Sequence, residues 1–436
     1  NEPPLVPYRI PIIGHAFSLQ KDPRNFLKKS RKQYGHIFSI YLFGRVITIV
    51  DSEFAHEVYN SNDLSFEEAL EDWIPFKTHF GVKQGFGGEL AECIRKYLYS
   101  PKDLNIFSEI LKQTFTTIIE RQIGDCKNPK TINSSLDFIT EAFARSLARV
   151  LFEEELCNDR DVLDAFLSYG SPKGDNFTAL SLLNFIHPWF YHIVVKFINN
   201  PGKKNRDILM RKIKPYIAKK FENKFNNEEK DQVDFLQICM PNFDKNNVNE
   251  SVGNKLMLLV FAALFTNSTI CNAVLRDYAT RPEYWQELQD EQLSIMQEYG
   301  NSLSYEIGGD HKVIGKKFTF SNGIEIPYGR SVSLDFSMIH GEESGFCPNA
   351  DAFDGFRYVG ENSPFTRVSR EVLTFGLGRH ACPGRNFAAH SIKIILSLLI
   401  RKYTITVTTK SGRKSPAQII MGFASPVEET LIFQNL

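Results

Sequence analysis

The chain has 436 residues, 42% hydrophobic and 23% charged, a balance that supports a large core and excludes a disordered polypeptide. Lysine plus arginine equals aspartate plus glutamate at 51 each, which argues against nucleic acid as the main partner, since that would need a basic excess. The seven cysteines show no paired spacing, which argues against a disulfide framework and for a reducing compartment.

Residues 1–15 are rich in proline, and Pro11-Ile12-Ile13-Gly14 predicts a rigid approach rather than a helix. Apolar residues around Gly44-Arg45 predict a hairpin with strands at 37–42 and 46–50. From about Ser52 to Cys271 the pattern is mostly helical, with breaks expected at Pro101, Pro172, Pro188, Pro201 and Pro241. Exposed loops are expected at 199–202 and 226–230. Residues 203–224 carry lysine and arginine at helical spacing, read first as a solvated face and second as a surface for anionic lipid. The longest wholly apolar run, residues 256–265, is ten long, short of the ~20 that cross a bilayer. The chain opens on Asn1-Glu2-Pro3-Pro4 without a methionine, so a preceding anchor or targeting segment is left open as an expectation.

After residue 300 the pattern turns to short strands at 318–320, 324–326, 332–334, 404–407 and 431–433. A helix is expected at 387–400, with Ala388, Ile392, Ile395, Leu396 and Leu399 on one face. No internal repeat is visible. The expectation is an α+β fold, mainly α, in a single domain spanning 1–436.

The strongest functional signal is Phe375-Gly376-Leu377-Gly378-Arg379-His380-Ala381-Cys382-Pro383-Gly384. It sets one cysteine in a turn rich in glycine, just ahead of an apolar helix. A thiolate there gains from unpaired backbone N–H groups and the helix dipole. Gly378 and Gly384 let the backbone approach a flat ligand, Phe375 offers an aromatic face, and Pro383 suits a first helical turn. These are the requirements of a cysteine serving as axial ligand to haem iron.

The segment matches the cytochrome P-450 haem signature Phe-x-x-Gly-x-x-x-Cys-x-Gly at its four fixed positions. Pro11-Ile12-Ile13-Gly14 resembles that superfamily's proline-rich hinge, Tyr34-Gly35-His36-Ile37-Phe38 the approach to its first strand, and Phe353-Asp354-Gly355-Phe356-Arg357 its meander. The nearest likeness is to fungal sterol 14-demethylase, oxysterol 7-hydroxylase and prostacyclin synthase types. The resemblance implies haem b (iron protoporphyrin IX) held by Cys382. It further implies propionate partners at His380, with His311, Arg95 and Lys96 as further candidates. Residues 256–276 resemble the helix that crosses above the haem, where Ala262-Ala263-Leu264-Phe265-Thr266 stands for the proton-delivery pattern. Thr266 is in place as the catalytic hydroxyl, but Phe265 replaces the usual acid.

The resemblance implies a monooxygenase using O2 and electrons from a separate NADPH-cytochrome P-450 reductase, docked near Arg379, Arg385 and Lys393. The expected substrate is apolar, sterol-like or another lipid. The expected location is the cytosolic face of the endoplasmic reticulum membrane, as a monomer. Two alternatives stand beside this: a haem-thiolate isomerase or lyase of lipid peroxides, and a non-catalytic haem or lipid binder. The last is motivated by an absence. The family carries Glu-x-x-Arg on a helix ahead of the late strands, but here the pattern occurs once, at Glu92-Cys93-Ile94-Arg95. Where it belongs, Ser302-Leu303-Ser304-Tyr305-Glu306-Ile307 runs straight into Gly308-Gly309, which implies a lost helix near 307–309. Arg357 would then lack its carboxylate, with Asp354 or Glu361 as substitutes.

Overall fold

The computed structural model describes residues 1–73, 77, 79, 90–92, 94–95, 101–170, 188–197, 200–225, 250–291, 307–336, 354–356, 364–408, 418–420, 423–425 and 429–436. Strands β1 (Ile37–Leu42) and β2 (Arg45–Val50) form the expected hairpin, with Phe43 and Gly44 both at positive φ in the turn. Two residues with φ > 0 match the right-handed twist of paired strands, which is why a glycine sits there. The short β3 (Leu64–Ser65) follows, and β4 (Lys130–Ile132) lies between two long helices, Pro101–Gln122 and Ser135–Leu156. Ser134 caps the second of these, its Oγ accepting the Asp137 N–H at 3.1 Å.

Helices Arg160–Gly170, Pro188–Phe197 and Pro201–Phe225 come next. Pro101, Pro188 and Pro201 therefore open helices instead of breaking them, because the first helical position needs no N–H donor. Of the loop expected at 199–202, residue 199 lies outside the described residues and 200–202 are a helix start. Asn200 Oδ1 accepts the Lys203 N–H at 2.9 Å, and Asn200 Nδ2 donates to His79 O at 2.8 Å. Pro172, Pro241 and the loop at 226–230 lie outside the described residues. Part of the basic face of Pro201–Phe225 is paired: Lys212 reaches Asp159 and Asp161, and Lys219 reaches Glu155.

The central helix runs as Glu250–Val260, a single π turn Phe261–Phe265, and Thr266–Ala279. Gly253–Ala279 is long and apolar enough to cross a membrane, yet 61% of its most apolar window is buried inside the protein. It is the spine of the main core, where Leu256, Met257, Val260 and Leu264 meet side chains such as Phe115, Phe152, Phe166 and Ile395. Gly170 marks how close the helices come: a Cβ there would lie 3.0 Å from Leu264.

Strands β5 (Ile307–Val313), β6 (Lys317–Thr319), β7 (Glu325–Pro327) and β8 (Ser331–Asp335) precede the cysteine loop. Strands β9 (Tyr403–Val407), β10 (Gln418–Ile420), β11 (Phe423–Ser425) and β12 (Leu431–Asn435) follow it. The largest sheet has the order β1-β2-β8-β5-β3, with β2 and β8 parallel, so it joins the two ends of the chain. A second sheet, β4-β12-β9, closes the far end of the helical core. The five strands expected after residue 300 are present within a residue or two. Strands β3, β4, β5, β10 and β11 were not expected. β5 contains Gly308 and Gly309, poor strand formers, and owes its conformation to pairing with β8 and β3. The architecture is the expected α+β, mainly α.

Candidate functional site

The cysteine loop is shaped by bonds between near neighbours. Cys382 N–H donates to Phe375 O at 2.7 Å and closes the loop, and Gly376 N–H donates to Leu373 O at 2.9 Å. Between them lies a 3-10 turn, Gly378–His380. Gly376 and Gly378 adopt φ of 75° and 57°, and a Cβ on Gly378 would lie 2.5 Å from Asn60 Oδ1. That backbone conformation favours glycine, and any larger residue would also have to displace the Asn60 side chain. Gly384 is different: its φ is −89° and nothing lies within 4 Å of where a Cβ would stand. Its backbone faces open space. Pro383 lies in the turn ahead of the helix, which begins at Arg385 and runs as Arg385–Ile400. Phe375 is 7% exposed and meets Phe365 edge-on with centroids 5.3 Å apart.

Burial pushes the Cys382 thiol up; the backbone N–H groups of Gly384 and Arg385, with the charges of Arg385 and Arg95, pull it down. Burial wins, so the thiol by itself stays protonated at neutral pH. A coordinated metal reverses this, because it deprotonates a ligating thiol outright.

Beside the loop, basic and imidazole side chains converge from three distant stretches. Arg95 Nη2 donates to Arg379 O at 2.9 Å. His380 meets His311 edge-on at 5.1 Å, and His311, fully buried, meets Tyr59 at 5.0 Å. Burial, then Arg379 and Arg95, lower the His380 pKa, so its ring is neutral at pH 7. Arg379 Nε donates to His380 Nε2 at 3.1 Å, which leaves Nδ1 as the protonated donor of that ring. Arg95 and Arg379 have no ion pair among the described residues. Arg379 turns its guanidinium onto Ser61 O and Asn62 Oδ1, so its charge is tied to the fold as well as to the surface. Lys96 lies outside the described residues, as do Arg357 and Glu361. Asp354 Oδ1 accepts the Phe356 N–H at 3.0 Å.

The other wall belongs to the central helix, whose Thr266–Ala279 segment packs on the cysteine helix. Ala262 and Thr266, one turn apart, are exposed between buried neighbours, so this face borders a hollow. Thr266 Oγ1 donates to Ala262 O at 2.6 Å. Phe265 is buried and stacks on Phe261 at 5.5 Å, directed into the core. Just beyond, buried Asn267 Oδ1 and Ser268 Oγ make no hydrogen bond among the described residues, which suits ordered water.

The residues present fit a haem. A thiol just ahead of a helix start, a glycine with open space where a Cβ would stand, small residues across a hollow, and Arg95 and Arg379, without an ion pair among the described residues, beside two imidazoles are all in place. Of the residues expected from sequence, Phe375, Gly378, His380, Cys382 and Gly384 lie in the loop, Arg95 and His311 beside it, and Thr266 on the central helix. Tyr59 and Asn60 were not expected there, and they come to the loop only through contacts distant in sequence.

The profile of the cytochrome P-450 family matches residues 3–306 and 310–431. The cytochrome P-450 monooxygenase terQ of Tolypocladium album is 26% identical over 308 residues, covering 63% of this chain and 54% of terQ. The chain thus spans about half the length of that relative. The cytochrome P-450 monooxygenase ntnM of Nectria sp is 25% identical over 461 residues, covering 94% of this chain and 84% of ntnM. The solved structure of retinoic acid bound cyanobacterial CYP120A1 superposes with a TM-score of 0.70 at 15% identity, covering 100% of this chain and 99% of that one. That likeness is one of fold. With the haem signature built as a closed loop and the family matched from residue 3 to residue 431, the chain belongs to the cytochrome P-450 family.

Proposed function

We propose that this chain is a haem-thiolate monooxygenase of fungal secondary metabolism that oxidises an apolar molecule, sterol-like or another lipid. The observation that carries the reading is the cysteine loop. Cys382 is a free cysteine held just ahead of a helix start by the bond to Phe375 O. A thiolate-ligated haem supplies dioxygen activation and insertion of one oxygen atom into a C–H bond. Electrons would come from an NADPH-dependent reductase, and the protein would work as a monomer at the cytosolic face of the endoplasmic reticulum membrane.

The chain's own part is positioning and proton handling. Arg95, His311 and His380 would hold the carboxylates of the ring edge, a charge that must be paired when buried. Ala262 leaves room beside the central helix. Thr266 Oγ1, anchored to Ala262 O, presents its lone pairs to the hollow and can receive and pass a proton. Phe265 cannot supply that proton, so water near Asn267 and Ser268 is the favoured source.

One observation favours a second reading, a non-catalytic haem or lipid binder: the Glu-x-x-Arg pattern is absent ahead of the late strands. The visible spectrum of the reduced, carbon monoxide-treated protein separates the two at the first step. A long-wavelength Soret band is expected, followed by NADPH-dependent turnover with a reductase. Absence of haem after supplementation during expression would overturn the monooxygenase reading.

A further inference from the structure

Arg379 sits in the 3-10 turn Gly378–His380, just ahead of Cys382, and by resemblance it was expected to face a docked reductase. Its bonds instead reach back to a stretch near the start of the chain, residues 59–62.

That stretch is held from both sides. The helix Ala55–Asn60 carries Val58 and Tyr59 into the core under the large sheet, and Glu57 accepts the Ser321 N–H at 2.8 Å. Asn60 Nδ2 donates to His56 O at 2.9 Å and so closes the end of that helix. Beyond Asn62, Asp63 O accepts the Ile314 N–H at 2.8 Å, and Leu64 of β3 pairs with Val313 of β5.

The cysteine loop rests on this stretch at three points. Tyr59 Cε1 lies 3.3 Å from where a Cβ of Gly376 would stand, and Asn60 Oδ1 lies against Gly378 in the same way. Arg379 Nη1 donates to Asn62 Oδ1, and its Nη2 donates to Ser61 O. All three points fall inside the stretch that the Cys382 N–H closes onto Phe375 O. Arg95 grips the same residue from another side, through the Arg379 carbonyl. A guanidinium fork on two oxygens fixes direction as well as distance, and its bonds are stronger than those between neutral groups.

We propose that residues 59–62 are the seat of the cysteine loop, and that Arg379 is a positioning residue tying the loop to Ser61 and Asn62 rather than a docking cation. Arg379 touches none of the reacting atoms; it acts through the loop that holds Cys382. The proposal rests on the reading of Cys382 as the haem ligand, and its test separates the two.

The test uses the full chain with Arg379→Gln, Asn62→Ala, both together, Asn62→Asp, and Phe433→Ala as a control. Phe433 meets Phe138 in the sheet at the far end of the core, so its loss lowers stability away from the seat. The fraction of haem giving the long-wavelength carbon monoxide band should fall roughly fivefold to tenfold in Arg379→Gln and about threefold in Asn62→Ala. The double variant should match Arg379→Gln. Asn62→Asp should keep the wild-type band, because the accepting oxygen remains, and Phe433→Ala should melt earlier with its band intact. An unchanged band in either Arg379→Gln or Asn62→Ala overturns the proposal, as does full additivity in the double variant. So does a weaker salt dependence of reduction by the reductase in Arg379→Gln with the band intact, which is the mark of a docking cation. If Arg379→Gln does not fold, Asn62→Ala decides. If the wild type itself gives no such band, the haem reading fails, and hydrogen exchange in the apo chain decides the seat alone. Faster exchange of the Cys382 amide relative to that of Ile395, in the helix core behind it, supports the seat in Asn62→Ala. An unchanged ratio overturns it.

Discussion

The cysteine loop takes its shape from bonds between near neighbours, whereas the central helix takes its place from packing against helices far off in sequence. In the loop, Cys382 N–H, Gly376 N–H and the turn Gly378–His380 all close within a few residues. In the helix, Val260 and Leu264 meet Gly170, and Ser135 Oγ donates to Asn272 Oδ1 at 2.6 Å. A site built this way has one wall that fails by local substitution and another that tolerates it. The loop is closed by its own backbone bonds, and the facing helix carries the π turn, a form common at functional sites.

Substitutions can break this contrast, and the largest effect is expected at the ligand. Cys382→Ser should remove the long-wavelength carbon monoxide band and the turnover together, read by spectrum and product formation, while the apo chain still folds. Retention of the band would mean another ligand.

The two glycines of the loop sharpen the contrast. Gly378→Ala should destabilise the fold by about 2 kcal/mol or more, since a left-handed alanine is strained and Asn60 must move. Gly384→Ala should leave apo stability within ~0.5 kcal/mol, because its φ is negative and its surroundings are open, yet lower haem retention. Chemical denaturation and haem titration check the pair; equal stability losses would mean that Gly384 serves the loop and not the ligand.

On the helix wall, Thr266→Val should lower turnover roughly tenfold or more while the carbon monoxide spectrum stays unchanged. An altered spectrum would place Thr266 in haem binding instead.

The smallest effect is a control just past the end of β2, at the cap of the turn Ser52–Phe54. Burial pushes the Asp51 carboxyl up, but hydrogen bonds from His36, Ser52 and Arg31 outweigh it and hold it below its ordinary value. Its stabilisation is full above the unfolded value of about 3.9 and is lost as pH falls through the lower folded value. Asp51→Asn should therefore cost about 1–2 kcal/mol at pH 7 and progressively less below pH 4, by thermal melting.

What the sequence revealed follows the same division. The hairpin, the cysteine loop and the apolar helix behind it depend on near neighbours, so Gly44, Gly378 and the spacing around Cys382 were readable. Pro101, Pro188 and Pro201 were misread as breaks because a proline stops a helix and starts one equally well; only the N–H donors after it decide. β5 was hidden by Gly308 and Gly309. The convergence of Arg95, His311 and His380 needed the fold, since no local pattern links residues so far apart. The direction of Phe265 into the core likewise depends on the π turn, which no periodicity announces.

The parallel pairing of β2 with β8 bears on how this chain is made. Val50 cannot meet Leu334 until the ribosome has released residues 331–335, roughly 15–60 s after the hairpin at ordinary synthesis rates. Through that interval β2 keeps one unpaired edge, rich in Val and Ile, an open template for association with other chains. Expression yield should therefore depend on chaperone supply and on temperature during synthesis more than on the stability of the finished fold.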